Sequence, residues 1–290
     1  MQYIIYDTNE YLKLGGKKHR SFEEIISCVD HMHDCEKNKS LIPIFNSTVA
    51  YELISHLMSN KVVTQNWYIR ACYALYYHCL LENIVITKNP TAAYIKDVLG
   101  LETPEAERTL KFLEELYNNP SYKTVERNRG LIVEVKQYIQ NLQTSWLHDL
   151  KSLRYMSGDK KMDTKKMRDF IETQDYPVWR AKVFLEGVCR FCPRIPKNII
   201  MNDNAINAFV NHHRTYIEVW RKFDRCYLEG KYILDTEKTA NTFWDAEICY
   251  HVGTHINNTI VGFLTEENQL HEASAIANQG NLLYRRTQMK

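Results

Sequence analysis

The chain has 290 residues, of which 44% are hydrophobic and 25% charged, the balance of a folded globular protein and not of a disordered one. Its net charge of +2 excludes an argument for polyanion binding from total charge, so any such binding must rest on local basic clusters. No run of about 18 uncharged apolar residues exists, which argues against a membrane span. The opening residues Met1 to Asp7 show no basic segment followed by an apolar one, so a secretory signal is not expected. The 8 cysteines then read as reduced thiols, not as a disulfide frame, and the expected location is cytoplasmic.

Tyr3-Ile4-Ile5-Tyr6 is short, apolar and rich in β-branched and aromatic residues, which predicts a buried strand with Asp7-Thr8-Asn9 at its carboxyl end. Gly15 to Arg20 reads as a basic loop. Ser21 with Glu24 three residues on is a capping-box pattern for a helix through about Cys35. Leu41 to Phe45 is a second apolar strand, and Asn46-Ser47-Thr48 caps a helix in which Val49, Leu53, Ile54 and Leu57 fall at helical spacing. This strand-helix-strand-helix opening is that of an α/β fold.

The middle of the chain, from about 62 to 230, is read as helical. Helices are expected over residues 67–81, from Pro104 onward, and over 131–150, 162–172, 178–190 and 205–227, with a break at Cys192 to Pro196. The last 60 or so residues return to α/β character. They give a helix over 239–252, a strand over Thr259 to Leu264, a helix over 269–277, and a short edge strand in the tail.

Four carboxylates stand out by position. Asp7 ends the first strand, Glu52 sits early in the helix after the second, Asp245 lies in the helix before the last main strand, and Glu267 falls just beyond that strand. In open parallel sheets, sites form beyond the carboxyl ends of the strands. Carboxylates gathered there repel one another unless a cation compensates them, and Mg²⁺ or Mn²⁺ are the oxygen-seeking ions for that role. Such ions activate water and stabilise a leaving oxygen in phosphodiester cleavage without a nucleophilic side chain.

Four segments carry a family resemblance. Ile4 to Asn9 resembles the opening strand and DTN motif of PIN-domain nucleases. Asn46 to Leu53 resembles their S-x-x-x-x-E-L segment. Trp244-Asp245-Ala246-Glu247-Ile248 is similar to their D-x-x-I segment, and Phe263 to Glu267 to the strand ending in V-T-x-D. The resemblance implies an α/β fold: a three-layer α/β/α PIN-like core with a central, mostly parallel sheet, built from residues 1–60 and 232–290. Residues 61–231 would form a large all-α insertion that partly supplies core helices.

It further implies that Asp7, Glu52, Asp245 and Glu267 bind Mg²⁺ or Mn²⁺, with Thr8, Asn9 and Thr265 as supporting polar residues. Two departures remain. The fourth acidic position is usually Asp, and here Glu266 and Glu267 compete for it. The domain is also usually compact, and the roughly 170 residues between the matching pieces are far more than it requires. Separately, Glu247 competes with Asp245, which is preferred for its spacing to Ile248.

Other readings are weaker. A haloacid-dehalogenase-type phosphatase needs a second Asp where Asn9 stands. No G-x-G-x-x-G or G-x-x-x-x-G-K-[ST] follows the first strand. Cys189 and Cys192 with His212 and His213 lack zinc-ligand spacing, because the histidines are adjacent. Among the scattered histidines, His31 and His33 carry no motif, and His251 and His255 lie four apart beyond Asp245. Of the basic clusters, Lys17, Lys18 and Arg20 follow Asp7 and are placed to hold a phosphate backbone.

The expected activity is a metal-dependent endonuclease, with RNA ahead of single-stranded DNA as substrate, compatible with a toxin or defence effector. A regulatory protein on the helical insertion is an expected partner. The alternative is an inactive PIN-like scaffold that binds a partner protein through that insertion.

Overall fold

Burial on both faces makes Gln2–Tyr6 a central strand, β1, whose Ile4 and Ile5 are fully buried. The structure is a computed structural model that describes residues 1–16, 20–59, 61–80, 85–101, 105–153, 164–231 and 237–288. A short helix, α1 (Thr8–Gly15), follows β1 directly in a segment to which the sequence assigned no element, because Asp7 caps it through the Asn9 amide. Helix α2 (Phe22–Asn38) begins with the expected capping box. The Ser21 hydroxyl accepts from the Glu24 amide, and the Glu24 carboxylate accepts from the Ser21 amide.

The expected second strand is divided. Strand β2 (Leu41–Pro43) pairs parallel with β1, Leu41 lying opposite Gln2. The Ile44 amide then donates to the Ile4 carbonyl, and β3 (Phe45–Asn46) leaves for a separate two-stranded sheet. Helix α3 (Ser47–Ser55) is capped by Asn46 and buried along its whole length. Helix α4 (Val62–Leu80) and strand β4 (Ile86–Thr87), the parallel partner of β3, come next. They are followed by α5 (Pro90–Leu99), α6 (Glu105–Asn118), α7 (Tyr122–Arg127) and α8 (Arg129–Leu153).

The later elements are α9 (Thr164–Ile171), α10 (Tyr176–Phe191), α11 (Lys197–Ile200), α12 (Asp203–His212), α13 (Arg214–Leu228) and α14 (Glu237–Cys249). Strands β5 (His255–Ile256) and β6 (Thr259–Leu264), helix α15 (Asn268–Ile276) and strand β7 (Leu283–Tyr284) complete the chain. The helix expected from 205 to 227 is two, α12 and α13, parted at His213. There the backbone leaves helical geometry, and the imidazole bonds the Tyr250 carbonyl.

The chain divides into two units. The first holds residues 1–138, 255–267 and 281–290. Its main sheet runs β2-β1-β6-β5, with β7 also on β6; only β5 is antiparallel. Helix α1 packs closely on α4, because a Cβ at Gly15 would stand 2.9 Å from the Ala71 backbone nitrogen.

The second unit holds residues 139–254 and 268–280 and is helical. In it α13 packs against α9, α14 and α15. Its core is aromatic, with Trp146, Phe223 and Phe243 in edge or tilted contact, the Phe223–Phe243 centroids lying 4.9 Å apart.

The expected α/β class with a three-layer α/β/α PIN-like core and a central sheet is therefore corrected. The chain is mostly helical, with a small mixed sheet of few short strands. The apolar run Leu41 to Phe45 looks like one strand, but Pro43 offers no amide to continue a ladder. The run is shared between two sheets, so neither grows. Among the described residues no helix is long and apolar enough to cross a membrane. All 8 cysteines are free thiols.

Candidate metal centre

The pairing of β1 with β6 places Tyr6 opposite Leu264, so the next residues, Asp7 and Thr265, emerge side by side at the carboxyl edge of two parallel strands. The Thr265 hydroxyl donates to Asp7 Oδ2 at 2.8 Å, and the Asn9 amide donates to Oδ1 at 3.2 Å. From the first turn of α1 the Thr8 hydroxyl donates to Glu52 Oε2 on α3. Asp7, Thr8, Glu52 and Thr265 are all buried. Each Asp7 oxygen accepts one bond and keeps a second acceptor site, and the described residues place no donor on Glu52 Oε1.

The electrostatics is that of two carboxyls deprived of water. Burial pushes Asp7 up to about 6, and the charges of Glu267 and Glu10 push the same way, against the donors Thr265 and Asn9. Burial and the neighbouring Asp7 push Glu52 up to about 8, against the Thr8 hydroxyl. A buried pair of this kind is relieved either by a proton or by a cation.

The two carboxyls, backed by hydroxyls and without sulfur or imidazole, are oxygen donors of the type a hard divalent ion takes. Among the described residues, however, the group of three potential ligands whose atoms lie within 4.8 Å of one another is His33, Glu36 and His78, so Asp7 and Glu52 meet here as a pair. Asp7 does cap α1, so the plain structural role of that residue is real, but capping leaves Glu52 and the repulsion between the two unexplained.

Glu267 is exposed, its amide held by the Thr265 hydroxyl at 3.1 Å, and its charge bears on Asp7. Its neighbour Glu266 accepts from the Arg286 amide at 2.7 Å and lies 3.8 Å from the Arg285 guanidinium. Of the two competing glutamates, Glu267 is thus the one that acts on Asp7. Asp245 is half-buried and Glu247 buried, both on α14 in the second unit. His251 also belongs to the second unit, and His255 to the first.

Lys17 and Lys18 lie outside the described residues. Arg20 turns inward on its own segment, donating to the carbonyls of Lys13 and Leu14 at 3.3 and 3.4 Å and to Cys28 Sγ. It closes the end of α1.

Glu10 was missed in the sequence. It is buried beside Asp7, pairs with Lys13, and lies 3.8 Å from Arg286. Its spacing of three from Asp7 was the available signal, hidden because α1 was not expected. No family model matches this chain, and neither does any curated protein or solved structure.

Proposed function

We propose that the chain is a divalent-metal-dependent nuclease whose centre is built on Asp7 and Glu52, with Glu267 completing the acidic set in the first unit. The observation that carries this reading is the buried Asp7–Glu52 pair at the carboxyl edge of parallel strands, each carboxyl raised and each held by a threonine hydroxyl. Mg²⁺ or Mn²⁺ bound there would supply an activated water and offset charge on the leaving oxygen of a phosphodiester. Thr8 and Thr265 orient one oxygen of each carboxylate and leave the others for the ion. Arg286, beside Glu10 at the rim, is a cation in reach of a phosphate group.

RNA is the preferred substrate because the DTN and S-x-x-x-x-E-L segments resemble those of a family that cleaves RNA. A cytoplasmic setting accords with the free thiols. The test is cleavage of labelled RNA and single-stranded DNA by the full chain with Mn²⁺ or EDTA. The native chain is expected to cut RNA only with Mn²⁺, and Asp7→Asn and Glu52→Gln each to lose at least a hundredfold in rate. Cleavage unchanged in either variant overturns the reading.

A further inference from the structure

A second group of potential ligands, made of residues other than Asp7 and Glu52, lies between α2 and α4. His33 and Glu36 are three residues apart on α2 and so share a face, and His78 lies in the last turn of α4, which packs on α2. The Glu36 carboxylate is reached from both sides. His78 Nε2 is 2.8 Å from Oε1, and His33 Nδ1 is 3.1 Å from Oε2. One donor atom from each residue falls within 4.8 Å of the other two.

In a tetrahedral zinc site with bonds near 2.1 Å, ligand atoms stand about 3.4 Å apart, so small side-chain shifts would let an ion replace the two hydrogen bonds. We propose that His33, Glu36 and His78 form a distinct site for a borderline divalent ion of the zinc class, clamping α2 to α4.

Three features beyond proximity support it. Two imidazoles and one carboxylate form a ligand set typical of zinc and other late divalent ions, and one that magnesium does not favour. The next shell is in place. The Tyr11 hydroxyl lies 3.0 Å from His78 Nδ1 and 3.3 Å from Cys79 Sγ. Accepting the Nδ1 proton while donating to the thiol, Tyr11 would fix the tautomer that presents the Nε2 lone pair to an ion.

A way in also exists. The side chains of Glu36 and His78 are 2% and 0% exposed, whereas that of His33 is 39% exposed, so the cluster opens to water on the His33 side. A fourth ligand position there would be filled by water. Beneath, the Tyr6 ring packs edge-on against His78 with centroids 4.8 Å apart, which holds the imidazole in place.

The experiment uses the full chain stripped of metal, titrated with Co²⁺ as a coloured stand-in for Zn²⁺ and with Zn²⁺ by calorimetry. The native chain is expected to bind one equivalent of Co²⁺ that carries the intense visible bands of a low-coordinate, nitrogen-ligated ion, distinct from any weakly absorbing, oxygen-ligated Co²⁺ held by Asp7 and Glu52. His33→Ala is expected to weaken Zn²⁺ binding at least tenfold and to abolish those bands. His33→Gln, which keeps a hydrogen bond to Glu36, should do the same with an unchanged circular dichroism spectrum.

Asp7→Asn should leave the bands intact, which separates this site from the carboxylate pair. The proposal is overturned if the native chain shows no such bands, if they survive in His33→Gln, or if they vanish in Asp7→Asn.

Discussion

Thr265 and Asp7, 258 positions apart in sequence, are joined by a hydrogen bond of 2.8 Å that crosses from the end of β6 to the end of β1. The bond ties the two strand ends together and aims one oxygen of Asp7. It also favours the charged form of a carboxyl that burial otherwise disfavours.

Removing that charge should stabilise the metal-free protein. A carboxyl whose folded pKa is raised contributes stability below its ordinary range, near pH 4, and loses it as pH rises through the folded value. Here that loss spans pH 4 to about 6 for Asp7 and extends to about 8 for Glu52. Asp7→Asn is therefore expected to melt higher than the native chain in EDTA at pH 8. The gain should be on the order of 2–6 °C, at roughly 2–4 °C per kcal/mol, and should shrink at pH 5. Mn²⁺ should raise the native melting temperature and leave the variant's unmoved. Scanning fluorimetry reads both, and an equal Mn²⁺ response in the two proteins contradicts the assignment.

Thr265→Val keeps the shape of the side chain and deletes its donor. Asp7 then loses the bond that orients it, and Mn²⁺ affinity should fall about 10- to 100-fold, as for other supporting residues of metal ligands. Calorimetry measures the affinity, and Thr265→Ser should restore most of it.

His213 should make the second unit sensitive to acid. It is buried, stacked on Tyr250 with centroids 4.0 Å apart, and its Nδ1 donates to the Tyr250 carbonyl at 2.9 Å. Burial lowers it to about 3. The folded state thus refuses a proton that the unfolded chain accepts near pH 6.5, so stability is full above that pH and falls as pH drops toward 3. The slope is at most about 1.4 kcal/mol per pH unit. His213→Gln should flatten this slope in chemical denaturation at pH 7, 5 and 4, and an unchanged slope would refute the account.

Asp224 should be the most sensitive single residue of the second unit. It is fully buried and accepts from Trp146 Nε1 at 2.8 Å and from the Tyr176 hydroxyl at 2.7 Å. Its charge also faces Arg180, whose guanidinium lies 3.9 Å above the Trp220 ring. Asp224→Ala strands two donors and a buried cation and should cost about 3–5 kcal/mol. Asp224→Asn should cost less, because it still accepts one of the two bonds. Urea denaturation monitored by tryptophan fluorescence ranks the two.

Local chemistry in the sequence was enough to place several elements and the ends that matter. The capping box of Ser21 and Glu24, the cap at Asn46 and the buried strands around Ile4 and Val261 depend on neighbours a few residues away. Such interactions survive in any fold. The acidic residues at strand and helix ends were legible for the same reason. What only the tertiary structure decided was partnership.

Strand register set Asp7 beside Thr265. The packing of α1 and α4 at Gly15 made room for a helix that no periodicity announced, and with it for Glu10 and for Thr8 against Glu52. The division of Leu41 to Phe45 between two sheets kept the main sheet small. His33, Glu36 and His78 meet only because α2 lies on α4. Contacts between residues distant in sequence carry no periodic signature, and burial, which raises or lowers each carboxyl and imidazole, is a property of the packed molecule alone.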